Sequence, residues 1–492
     1  MERRAKIVAT LGPATAEESV LAQLLKAGAD VLRLNMSHGD HESHRSNIAL
    51  VRRVAAQLDK QVPLLLDLMG PRFRLGTLAE PRTLRRGERI TLGEAAHAVD
   101  LPVDDPGFLR HLREGERVLI ADGLVELEVL AKRARKVTAR VLSAGTVSTR
   151  KGINLPDTRI PFSVSAKDRA DIAFAIAEGA DWLGASYIGR ARDVETLREV
   201  VREAGHEIPI VAKLERAAAV DHIDEIVATA DAVMVARGDL GVEVPLHQVP
   251  VLQKQIIAAG RRLGKPVIVA TQMLESMMAQ PRPTRAESSD VANAVFDGAD
   301  ALMLSGETAA GRFPVEAVRT MARIVLEAEA YKLKLFSVGY PSPDPRLPEG
   351  RFPTPAPRVL DDKAADGAIE IADVIAAAAV HAASKLGEGR IVAFSQGGFT
   401  AHRLARYRPA VPTLVFTTDA RVARRIQLLW GTRPILLEQE VQHREDLIQV
   451  VERELLIRRL IRPGECIVLL MGYPIQEKPL TNLLRIHRVA TR

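Results

Sequence analysis

Lys213 and Glu215 stand just after the apolar run "IPIV", Asp239 just after "DAVMV", and Thr271 just after "KPVIV". Runs of that length, rich in β-branched residues, suit buried parallel strands, whose C-terminal ends lie on one side of a sheet. An ammonium, two carboxylates and a hydroxyl therefore converge there as an active site. Glu215 and Asp239 supply two hard oxygen ligands, which with water and substrate oxygens is the usual way to hold Mg²⁺. Lys213 precedes Glu215 by two residues, so on an extended chain both side chains project to the same side. Gly238 lets the backbone approach a ligand closely, and Thr271 sets a hydroxyl over it. In isolation "KLE" reads equally well as a strand-end salt bridge, and a threonine there as plain β-propensity. The companion string "ARGDLG" shifts the balance toward a site.

A second group lies nearer the N-terminus. "VLRLNMSHG" places Arg33, Asn35 and Ser37 on one strand face by period-two alternation, with His38 just beyond. A guanidinium at Arg33 suits a phosphate or carboxylate in fork geometry, its competing assignment being a buried ion pair. "LLLDLMGPRFRLG" adds Asp67, Arg72 and Arg74 at the end of a third apolar run. Opposite charges so close behind a buried strand point to a site rather than a solvated face.

The elements that must position these residues follow from the alternation of apolar runs with helical periodicity. The strand candidates are "AKIVATLG", "ADVLRLNM", "VPLLLDLM", "ADWLGASYI", "IPIVAKL", "DAVMVARG", "KPVIVATQM" and "ADALMLSG". Stretches such as "AEESVLAQLLKAGAD" separate them as amphipathic helices. Eight such units make a closed (β/α)8 barrel, with an open doubly wound sheet as the competitor. The rhythm breaks after Met69, where "RRGERITLG", "REGERVLIADGLVELEVLA" and "RKVTARVLSAG" read as short antiparallel strands. The expected domains are a barrel from 1–68 and 158–340, an inserted small β-barrel lid at 69–157, a proline-rich linker at 341–360, and a C-terminal α/β domain at 361–492.

Composition excludes several classes. The 492 residues, 47% of them hydrophobic, fill several cores. The charge of +6 is spread without a basic block, which argues against nucleic acid and suits an anionic small molecule. Cys466 is the single cysteine, so no intrachain disulfide forms, and no apolar stretch approaches a membrane span. A cytoplasmic protein is expected.

At this point the strings "RLNMSHG", "KGINLP", "AKLER", "VARGDLGVEVP", "ATQMLESM", "PRPTRAESSDVANAVFDGADALMLSGETAAG" and "ARYRP" together resemble the motif set of pyruvate kinase, in order and over nearly the whole chain. The resemblance implies phosphoryl transfer from phosphoenolpyruvate to ADP, in a cytoplasmic homotetramer with Mg²⁺, for which Mn²⁺ can substitute. It implies that Lys213 stabilises the moving phosphoryl group and enolate oxygen, that Glu215 and Asp239 hold Mg²⁺, and that Gly238 and Thr271 contact the substrate carboxylate. By the same likeness Arg33 holds the phosphoryl group, while Arg74, His38 and Lys151 engage the nucleotide.

Two departures carry expectations. In potassium-dependent members Asn35, Ser37 and Asp67 would bind K⁺, and a Glu stands where this chain has Arg72. A guanidinium there resembles the potassium-independent branch and is expected to make K⁺ dispensable. The loop with Ser395, Gly398 and Thr400 is the family's place for a sugar-phosphate or nucleotide effector, but Gly397 stands where a hydroxyl residue is usual. An ordinary strand-to-helix turn is the favoured interpretation. The alternative enzyme, a metal-dependent aldolase or lyase acting on a pyruvate enolate, would use the same lysine and carboxylates but needs no ADP.

Overall fold

The computed structural model describes residues 2–133, 135–338, 370–386, 390–438, 444–472 and 481–491. The linker expected at 341–360 lies outside them. Eight parallel strands close a barrel: β1 Lys6–Thr10, β2 Val31–Asn35, β3 Leu64–Asp67, β4 Trp182–Ala185, β5 Ile210–Leu214, β6 Ala232–Ala236, β7 Val267–Ala270 and β8 Ala301–Leu304. Each pairs with its sequence neighbours, and β8 returns to β1. Their apolar character on both faces has a direct cause. One set of side chains, including Val8, Val31, Leu65, Trp182, Val211, Met234 and Ile268, fills the interior, while the other meets the surrounding helices. Leu428, from the C-terminal domain, joins the interior set.

Between β3 and β4 the chain forms a seven-stranded sheet and a two-stranded ribbon around its own core, including Leu92, Phe108, Leu127 and Val137. The C-terminal domain holds a five-stranded sheet in the order Thr432–Leu436, Thr413–Thr417, Arg390–Phe394, Cys466–Met471 and Leu483–Arg488, the last antiparallel. The first and last of these, both at sheet edges, were not anticipated. "TRPIL" carries a proline and "LLRIHR" charged residues, as sheet edges tolerate.

A buried carboxylate fastens this domain to the barrel. Asp300, immediately before β8, accepts both Arg408 Nη groups at 2.6 Å and the backbone N–H groups of Val267 and Trp430 at 3.0 and 3.2 Å. Asp300→Ala strands a buried guanidinium and two amides, so a stability loss of about 3–5 kcal/mol is expected. A urea-unfolding midpoint equal to that of the unaltered chain would refute it.

Candidate active site

The ends of β2, β3 and β5 meet in an ion-pair chain. Arg33 donates from Nε and Nη2 to Asp67 Oδ2 at 2.8 and 2.6 Å and from Nη1 to Thr10 Oγ1 at 3.1 Å. Lys213 Nζ lies 3.5 Å from Asp67 Oδ1 and 3.1 Å from Glu215 Oε2, and donates to Ser186 Oγ at 2.8 Å. Asp67 is 1% exposed and fits because β4 has Gly184 beside it. A Cβ there would fall 2.7 Å from Asp67 Oδ1, closer than real Cβ atoms come to a neighbour.

Burial works against the charge of Asp67, but Lys213 and Arg33 hold its carboxyl below the ordinary value. Burial likewise opposes the ammonium of Lys213, and Asp67, Glu215 and Asp239 hold it above the usual lysine range. Glu215 is pushed up by burial, with repulsion from Asp239 and Asp67 adding to it against the pull of Lys213.

Asp239 lies in the first turn of the helix Arg237–Glu243 after β6 and accepts from Arg72 Nη2 at 2.8 Å. Arg72 Nε also donates to the Tyr187 hydroxyl at 3.3 Å, while the Tyr187 backbone N–H donates to Glu215 Oε1 at 2.7 Å. Among the described residues no hydrogen bond or ion pair joins Arg72 to Asn35, Ser37 or Asp67, where it was expected to replace an ion. The guanidinium reaches toward the carboxylate after β6 instead. Asn35 Oδ1 accepts from the Ser37 backbone at 3.1 Å.

Thr271 turns its hydroxyl to the backbone, accepting from the Gly238 N–H at 2.7 Å and donating to the Ala270 carbonyl at 2.6 Å. Tyr187, Thr271 and Gln272 all take positive φ, at 64°, 70° and 53°. Left-handed backbone at non-glycine residues costs of order 1 kcal/mol or more each and persists where surrounding contacts impose it, commonly in functional sites.

Arg74 lies on the lid strand Phe73–Arg74, paired with Gly152, so Lys151 stands beside it. His38 is exposed past β2, its carbonyl accepting from His44 Nε2 at 2.8 Å. In the C-terminal loop Ser395 is buried, Gly398 precedes the helix Phe399–Arg406, and the Thr400 hydroxyl is buried against Thr481 Oγ1 at 2.7 Å.

Sequence reasoning passed over Ser186, Tyr187 and Arg237. Arg237 pairs with Asp290 at 2.7 Å and donates to the Thr271 and Gln272 carbonyls, bracing the strained turn. All three directly follow barrel strands, so the strand-end rule applied to Glu215 and Asp239 would have found them.

Does the donor set fit a divalent cation? Glu215 Oε2 is buried without a hydrogen-bond partner, and Glu215 and Asp239 are hard oxygen donors from adjacent strand ends. Among the described residues no three His, Cys, Asp or Glu side chains form a complete metal cage. Mg²⁺ keeps waters and takes substrate oxygens beside one or two carboxylates, and Glu215 and Asp239 are such a pair. The residues fit.

Residues 2–318 match the family described as "Pyruvate kinase, barrel domain", and residues 373–487 match "Pyruvate kinase, alpha/beta domain". A pyruvate kinase of Mycobacterium tuberculosis is 40% identical over 99% of both chains, and one of Geobacillus stearothermophilus is 39% identical over 100% of this chain and 81% of its own. The crystal structure of a pyruvate kinase from Cryptosporidium parvum superposes with a TM-score of 0.86 at 32% identity, covering 99% of this chain and 96% of that one.

Proposed function

This chain belongs to the pyruvate kinase family and moves a phosphoryl group from phosphoenolpyruvate to ADP; we propose that Lys213, Arg33, Glu215 and Asp239 form the centre of that site. The observation that carries the proposal is the Lys213 ammonium, fixed between Asp67 and Glu215 at the mouth of the barrel. In the transfer the bond between phosphorus and the enol oxygen breaks, its electron pair staying on that oxygen, while a terminal oxygen of ADP bonds to phosphorus. The enolate then takes a proton at its terminal carbon and becomes pyruvate.

Such a reaction asks the protein for positioning and charge. Arg33 holds the phosphoryl group and Lys213 meets charge developing on it and on the enolate oxygen. Gly238 and Thr271 bind the substrate carboxylate, and Arg74, Lys151 and His38 bind the nucleotide. Glu215 and Asp239 would hold Mg²⁺, or Mn²⁺ in its place, and the bound cation would supply further positive charge to the substrate oxygens. The protein works as a cytoplasmic homotetramer.

K⁺ is dispensable in this proposal. Asp67, the one charged residue among the potassium-site equivalents, already has its charge met by Arg33 and Lys213, and Arg72 brings a further positive charge to the site at Asp239. Pyruvate release from phosphoenolpyruvate is measured with and without ADP, with Mg²⁺ present or chelated, and with K⁺ varied at constant ionic strength. Release that needs ADP and Mg²⁺ but changes less than twofold with K⁺ is expected. Release without ADP would point to the lyase alternative, and strong activation by K⁺ would overturn the K⁺ assignment.

A further inference from the structure

Each carboxylate assigned above to the divalent cation already faces a cation of the chain itself. Lys213 stands 3.1 Å from Glu215 Oε2, and Arg72 donates to Asp239 Oδ1 at 2.8 Å. The Arg72 bond is Asp239's only side-chain hydrogen bond among the described residues, and both side chains are about one-third exposed, at 30% and 31%. Lys213, by contrast, is 11% exposed and held between two buried acids. Arg72 is therefore the more exposed of the two resident cations and the one a ligand from solvent can reach.

Its mounting supports the same view. Arg72 follows the turn Gly70-Pro71, where the chain leaves the barrel for the lid. Gly70 has a φ of +68°, and a Cβ there would lie 3.0 Å from Ser186 Cβ. The other edge of the guanidinium is pinned by Tyr187, whose backbone N–H holds Glu215. The Tyr187 hydroxyl accepts this bond from Arg72 Nε at 3.3 Å. One strained residue thus links the two metal carboxylates.

We infer that Arg72 is a built-in competitor for the divalent cation at Asp239, drawn off when an anionic substrate gives its guanidinium another partner. A guanidinium and a dication on one carboxylate repel each other, so the cation alone binds weakly. Substrate that takes up Arg72 frees Asp239, and by linkage the two ligands then bind with positive coupling. The inference rests on Glu215 and Asp239 being the metal carboxylates.

The test is Mn²⁺ binding to the full chain, read as loss of the free Mn²⁺ electron paramagnetic resonance signal, with and without phosphoenolpyruvate. Arg72→Leu is expected to bind Mn²⁺ about tenfold more tightly without substrate and to lose most of the gain that phosphoenolpyruvate brings. Arg72→Lys should stay within about twofold of the unaltered chain. Tyr187→Phe, which loosens the guanidinium without removing it, should tighten Mn²⁺ two- to threefold. Unchanged or weaker Mn²⁺ binding in both Arg72→Leu and Tyr187→Phe overturns the inference. Asp239→Asn separates the two levels: it should abolish tight binding, and if it does not, the metal assignment itself fails.

Discussion

Lys213→Met is expected to leave the barrel folded and to lower kcat by about 100- to 1,000-fold or more, with a far smaller change in KM for phosphoenolpyruvate. Loss of one preorganised electrostatic group costs on the order of 3–4 kcal/mol of barrier. Here the lost group is the one cation that Asp67, Glu215 and Ser186 hold together, so no neighbour stands ready to replace it. The kcat-against-KM split matters because charge develops on the phosphoryl group and enolate in the transition state, where the ammonium is needed most. Methionine matches the length of the stem but leaves the buried Glu215 Oε2 with no cation beside it, so some loss of thermal stability accompanies the loss of rate. Near-normal turnover would remove Lys213 from the chemistry and with it the proposed site.

Asp67→Ala should be the most destabilising single change in the site. The carboxylate is 1% exposed and serves two buried cations, taking Arg33 on Oδ2 and Lys213 on Oδ1. Removing it strands both, and breaking a buried pair in this way costs about 3–5 kcal/mol. Turnover should fall as well, by about 100-fold, because Arg33 and Lys213 lose the anchor that sets their positions. Asp67→Asn keeps the shape and an acceptor for Arg33, so it should restore most of the stability while leaving turnover low. Denaturant unfolding and steady-state kinetics on both variants separate the effects. Equal stability of Asp67→Ala and the unaltered chain would mean that Arg33 and Lys213 find other partners, contrary to the ion-pair chain described here.

The sequence by itself determined eight parallel strands buried on both faces, from eight apolar runs set among stretches of helical periodicity; an open doubly wound sheet requires the same local pattern, so closure of β8 onto β1 was decided by the tertiary structure. The sequence also determined which charged side chains stand at strand ends, because period-two alternation and the end of an apolar run are read from neighbouring residues alone. The two edge strands of the C-terminal sheet escaped because an edge has one free side and needs no continuous apolar run.

Tertiary structure alone decided which charge meets which. Arg72 and Asp239 are 167 positions apart, and Arg33 and Asp67 34 apart. Their pairing is set by strand register, by the room that Gly184 leaves for Asp67, and by the turned backbone at Tyr187 and Thr271. None of these leaves a periodic trace in the chain. A side chain's type is a local property, whereas its partner is fixed by closure of the whole sheet, and that is why the chemistry was legible before the contacts were.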